Sequence, residues 1–168
     1  MTIRPDFPKK EVAALAARCT FPDEEFFKIG QRCRAAGYYT KDDLLVMCKA
    51  AGGAYRSCRL ISTERIQWRT ATSISTESER ERISSLRSIS GVSWYTASFI
   101  LHFTFEGKYP ILSRQALWAW GYDTRPVMAF PLWWAYVRAC RALSAECGAT
   151  MRDLDRALRQ FATEESVM

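Results

Sequence analysis

The chain has 168 residues, 48% of them hydrophobic and 25% charged, enough for one compact domain, or two helical lobes sharing a cleft, around a sizeable core. Its formal net charge of +6 favours polyanions, nucleic acid or an acidic membrane surface, over cationic partners. The longest runs without a charge, 92–105 and 126–137, fall short of the roughly 18 apolar residues a membrane span needs.

Apolar residues recur at helical spacing almost throughout, without strand-length alternation bounded by hairpin turns. The fold class predicted is therefore all-α, a bundle of about eight helices forming a single domain over 1–168, with no repeats and no convincing linker. The first ten residues contain no apolar stretch of the signal-peptide kind, which predicts an intracellular, cytoplasmic chain. Pro22 with Asp23, Glu24 and Glu25 opens a helix through Ala36, since proline tolerates the first turn and acids favour the positive dipole end; Gly37 stops it. Thr40 caps the next helix, which Gly52 and Gly53 end through left-handed conformations. Residues 63–73 read as a further helix. Thr76 followed by Glu79 reads as a capping box for a charged helix over about 77–88, with Ile83 and Leu86 on its buried side. Pro131 starts a long helix that ends at Gly148, and Thr150 with Asp153 starts the last, whose Met151, Leu154, Leu158 and Phe161 share a face; the acidic tail is expected to fray.

The central stretch 86–101 joins two helices through Ile89-Ser90-Gly91-Val92-Ser93. Gly91 is suited to a positive-φ turn, Ile89 and Val92 anchor it to the core, and Thr96 and Ala97 allow the second helix to pack closely. Such a turn at a helix N-terminus presents backbone N–H groups and a positive dipole end to a DNA phosphate. Downstream comes Phe105-Glu-Gly-Lys-Tyr-Pro-Ile-Leu-Ser-Arg-Gln-Ala-Leu-Trp-Ala-Trp-Gly121, a proline, two apolar residues, a polar residue and a helix. Together, residues 86–121 resemble the helix-hairpin-helix core of the base-excision DNA glycosylase superfamily, with the helix-hairpin-helix at about 77–104. Residues 22–162 are a compatible succession of helices.

The resemblance implies double-stranded DNA as partner, held largely by its phosphate backbone through Ile89, Gly91, Val92, Ser93 and Thr96. Where the family usually has a second glycine this chain has Ser93, a good N-cap. The lysine of bifunctional members falls at Tyr95, a neutral phenol that forms no Schiff base, so no strand-nicking lyase activity is expected. The catalytic aspartate position falls at Ser113, which carries no charge to stabilise an oxocarbenium-like transition state. Ser113 reads as a disabled catalytic position and as a helix cap, with Glu106 and Asp123 as the flanking carboxylates able to replace it. Tyr95, Trp118 and Trp120, with Tyr122, Trp133 and Trp134 nearby in sequence, offer stacking surfaces for a flipped base or else belong to the core. Trp68, beside Arg65 and Arg69 at one-turn spacing, belongs either to a basic face or to the packing.

Cys19, Cys33, Cys48, Cys58, Cys140 and Cys147 contain no CxxC pair and are expected as buried reduced thiols. Cys140 and Cys147 match the first spacing of the iron-sulfur loop of some members of the family, whose two further cysteines are missing here, so no metal cluster and no cofactor are expected. His102 is the single histidine, too few for a triad or centre built from several histidines, and reads as structural. Of the 24 basic residues six are lysines and eighteen arginines; the planar arginine fork suits phosphate, although a GC-rich genome gives the same bias. The leading expectation is a nucleoid-associated DNA-binding relative of repair glycosylases, with weak or absent N-glycosidic hydrolysis. Its rivals are an active monofunctional glycosylase that uses a displaced carboxylate or excises alkylated bases, and a helical protein-interaction module.

Overall fold

In the computed structural model, which describes residues 1–124 and 126–165, ten α-helices and one short 3-10 turn make up the secondary structure, and no strand occurs among the described residues. The chain is all-α, as its periodicity predicts. No helix among the described residues is long and apolar enough to cross a membrane. The chain divides into two compact units, one formed by 23–106 and the other by 1–22 with 107 onward.

The unit 23–106 holds six helices: α2 (Glu24–Ala36), α3 (Lys41–Ala50), α4 (Tyr55–Arg59), α5 (Thr63–Ser75), α6 (Glu79–Arg87) and α7 (Trp94–Thr104). Helix α7 is its axis, buried at every position from Thr96 to Thr104. Such all-round burial is what a helix with apolar residues on every face requires. Gly30 lets α2 cross α7 backbone against backbone: a Cβ at residue 30 would lie 2.1 Å from the carbonyl oxygen of Phe103. Phe26 and Phe27 then pack edge-on against Phe99 and Phe103 around the contact. His102 is buried and sits against the Phe27 and Phe103 rings, in the structural role expected of it. Buried Tyr39 donates its amide to Thr70 (3.0 Å) and pairs its hydroxyl with Thr104 (2.7 Å), tying the α2–α3 connection to α5 and α7.

The other unit holds α1 (Val12–Arg18), α8 (Arg114–Ala119), α9 (Phe130–Cys147) and α10 (Met151–Glu165). Val12, Leu15 and Ala16 form the buried stripe of α1 against α10. The Arg156 guanidinium on α10 donates to the carbonyls of Ala16, Cys19 and Phe21, which closes the end of α1. Met151, Leu154, Leu158 and Phe161 share the buried face of α10.

Several boundaries differ from the sequence reading. Two helices, α1 and α4, stand beyond the eight expected: α1 spans only seven residues and α4 five, of which α4 buries only Cys58. Thr76 does not cap α6. Ser78 does, accepting the Glu81 amide, while Thr76 closes α5 and donates its hydroxyl to Glu81. Of Gly52 and Gly53 only Gly52 has a positive φ, 67°. The acidic tail is helical through Glu165, because Glu164 is paired with Arg18 in a two-point contact at 2.9 Å; residues 166–168 lie outside the described ones. The caps at Thr40, Gly37, Gly148 and Thr150 stand where the sequence puts them.

Candidate nucleic-acid interface

Helices α6 and α7 are joined by residues 88–93, and the turn depends on Gly91, at φ 86°. Ile89 and Val92 are buried beneath it. A Cβ on Gly91 would meet the Ala54 carbonyl oxygen at 2.6 Å and the Cys58 Sγ at 2.9 Å, so the turn rests directly on α4. Cys58 also donates its thiol proton to the Ser90 carbonyl at 3.3 Å. Ser93 caps α7, its Oγ accepting the Thr96 amide at 3.1 Å. Thr96 is fully buried, with its hydroxyl 3.1 Å from that of Ser93 and its Oγ1 close to Gly53. Its part is to set the spacing of α3 and α7. The amides of Ser90, Gly91 and Ser93 donate no hydrogen bond among the described residues, and Ser90 is exposed. An unpaired N–H array at a helix N-terminus attracts an anion through both the donors and the dipole.

Arginine is less available than its abundance suggests. Arg82 is buried, donating to the carbonyls of Ser73, Ile74 and Thr76 at the end of α5, with its guanidinium 4.5 Å from the Phe105 ring. Arg32 is held by Asp43, whose carboxyl is driven up by burial but lowered by a larger sum of bonds from Arg32 and Thr40 and sits below its ordinary value. Near the turn, Arg87 is exposed and lies 4.6 Å from the Trp94 ring.

Ser113 caps α8: its Oγ accepts the Ala116 amide at 3.0 Å. The loop that delivers it is pinned by two buried side chains. Asp155 on α10 accepts the Ile111 amide at 3.2 Å, and Tyr136 on α9 donates to the Ile111 carbonyl at 2.8 Å. Asp155 is thus a carboxylate brought to the loop of Ser113 that sequence reasoning passed over, because 44 residues separate it from its partner. Of the carboxylates that reasoning named, Asp123 is exposed and paired with Arg4, and Glu106, in the unit 23–106, is exposed and accepts from Gln31.

Trp120 is buried in the core and offers no stacking face. Trp118 is half-buried; the Arg4 guanidinium lies 4.1 Å from its ring centre and Phe161 tilts against it at 5.6 Å. With Arg114, Tyr122 and Ala162 it lines a cavity of about 590 Å³ beside α8. Tyr95 is half-buried on α7, in the unit 23–106, whereas Trp118 and Trp120 belong to the other unit.

Five cysteines are buried and Cys147 is half-buried, all as free thiols, and burial raises the Cys140 and Cys48 thiols above their ordinary range. No protein-family model matches the chain, and no curated protein or solved structure is found similar to it.

Proposed function

We propose that the chain is a DNA-binding protein of the helix-hairpin-helix glycosylase type, holding duplex DNA by its phosphates with weak or absent N-glycosidic hydrolysis. The observation that carries this reading is the α6–α7 turn, where Gly91 sits at φ 86° and the amides of Ser90, Gly91 and Ser93 are unengaged beside the α7 N-terminus. Contacts of that kind neutralise phosphates and ignore base sequence. The net charge of +6 supports the same partner.

A neutral Ser113 engaged as a helix cap supplies no charge to a sugar cation. The Tyr95 phenol supplies no amine for a lyase step. Aspartate caps a helix as well as serine does, so Ser113→Asp preserves α8 and adds the anion that catalysis by differential stabilisation requires.

The test has two parts. Titration of labelled duplexes of unrelated sequence should give similar affinities that fall steeply with salt; no binding at low salt overturns the reading. Duplexes carrying uracil, hypoxanthine or an alkylated purine are then scored for abasic sites. Ser113→Asp should exceed the wild type and Ser113→Ala should not differ from it. Strong wild-type turnover untouched by alanine would identify an active glycosylase with its carboxylate elsewhere.

A further inference from the structure

Helices α4 and α5, with the junction between them, carry a surface that the hairpin turn does not use. Between Tyr55 and Arg69 stand four arginines, Arg56, Arg59, Arg65 and Arg69, against one acid, Glu64. Arg56, Arg59 and Arg65 are exposed, and no ion pair engages any of the three among the described residues. Two large apolar side chains lie among them: Leu60 at the junction is 87% exposed and Trp68 on α5 is 60% exposed. The Arg69 guanidinium stacks 4.1 Å from the Trp68 ring centre and fixes the indole, while its own buried Nε has no hydrogen-bond partner. Arg65 precedes Trp68 by one helical turn and so flanks it on the same side of α5.

The same elements support the turn: Gly91 rests on Ala54, Ser57 and Cys58, and α5 packs against α6. The helix under the turn thus also carries exposed Arg56 and Arg59, the latter 5.8 Å from the Tyr55 ring. Phosphates alone require no aromatic there. An exposed indole flanked by guanidinium groups is the arrangement that stacks an unpaired base while its neighbouring phosphates are neutralised. A nucleic acid strand supplies phosphates at regular spacing to several of these arginines at once.

We propose that the α4–α5 face binds an unpaired nucleotide of DNA, with the base stacked on Trp68 and the adjacent phosphates held by Arg65 and Arg59. The proposal rests on the reading of the chain as a DNA-binding protein and names the form of DNA it prefers: a duplex with an unpaired or single-stranded stretch.

The experiment is fluorescence anisotropy on the full chain with two labelled probes, a blunt duplex and the same duplex extended by four unpaired thymidines. The extended probe should bind about tenfold more tightly, the scale of one base–aromatic stack. Trp68→Ala should abolish that gain and Trp68→Phe should keep most of it. Arg65→Gln should lower the salt slope on the extended probe by about 0.7, the value for one phosphate contact on a single strand. Exposed Val46→Ala on α3 serves as the control and should leave both affinities unchanged. Equal wild-type affinity for the two probes overturns the proposal and leaves duplex binding standing. So does a Trp68→Ala loss of equal size on both probes, which would report structural damage. Failure to bind either probe removes the DNA-binding reading itself.

Discussion

The turns before α7 and before α8 begin alike and end differently. Each delivers a serine whose hydroxyl caps the helix by accepting the amide three residues on, at 3.1 Å for Ser93 and 3.0 Å for Ser113. Ahead of Ser93 the chain turns through Gly91 and leaves amides unengaged. Ahead of Ser113 the loop has no regular structure, and the amide and carbonyl of Ile111 are both taken by buried side chains from α9 and α10. The same cap therefore serves two ends. One turn leaves backbone donors unengaged, and the other uses its polar groups to hold its own unit together.

The difference breaks most severely through α7, the helix that follows the Gly91 turn. Gly30→Ala would place a methyl group 2.1 Å from the Phe103 carbonyl, where backbone, not a flexible side chain, stands in the way. The α2–α7 crossing must open, and the loss should be about 3 kcal/mol, at the upper end of overpacking penalties, read by denaturant unfolding. The second effect is a contrast between glycines. Gly91→Ala meets both a positive φ and the Ala54 carbonyl at 2.6 Å, and should lose about 2 kcal/mol. Gly148→Ala has only the φ of 61° to bear, with nothing within 4 Å, and should lose about 1 kcal/mol. Equal losses would show that α4 yields to the turn.

That contrast also marks how far the sequence could be read. Gly91 announces a turn because apolar residues flank it, and Thr40, Gly37 and Thr150 announce caps because capping chemistry is local. Gly30 announces nothing, since its reason is the Phe103 backbone more than seventy residues on. Asp155 and Arg156 are equally silent. They sit on an amphipathic helix whose stripe predicts their burial only in outline, and their partners at Ile111, Ala16, Cys19 and Phe21 are fixed by tertiary packing. The aromatic cluster around 118–134 divided in the same way: Trp120 and Trp133 went to the core and Trp118 to a cavity wall. Trp68, by contrast, is exposed because Ile66 and Thr70 hold the buried side of its helix.

The serines themselves sharpen the comparison at a smaller scale. Ser93→Ala and Ser113→Ala each remove one cap and should each lower stability by about 1 kcal/mol, seen as similar shifts in Tm. Only Ser93→Ala should weaken duplex binding beyond its effect on stability, because only that turn orders unengaged amides. A matching loss of binding in Ser113→Ala would show that the loop before α8 also meets DNA.

The smallest effects are electrostatic, and each unit has its own acid to test. Asp43 is pushed up by burial, yet the bonds from Arg32 and Thr40 prevail and its carboxyl lies below the ordinary value of 3.8. Glu164, exposed, is lowered to about 2, chiefly by its hydrogen bond from Arg18, from an ordinary 4.5. A carboxyl depressed on folding binds its proton more readily in the unfolded chain. Its contribution is therefore complete above the ordinary value and disappears as pH falls through that value towards the folded one. For Glu164 the window runs from pH 4.5 down to about 2; for Asp43 it opens just below 3.8. Asp43→Asn and Glu164→Gln should each lower Tm at pH 7, and the gap from wild type should narrow across these windows on acidification. Added salt should shrink the Glu164 gap more, because that pair is screened by solvent on both sides while Asp43 is buried. A Glu164→Gln gap that persists in high salt would mean that the end of α10 is held by the shape of the contact and not by its charge.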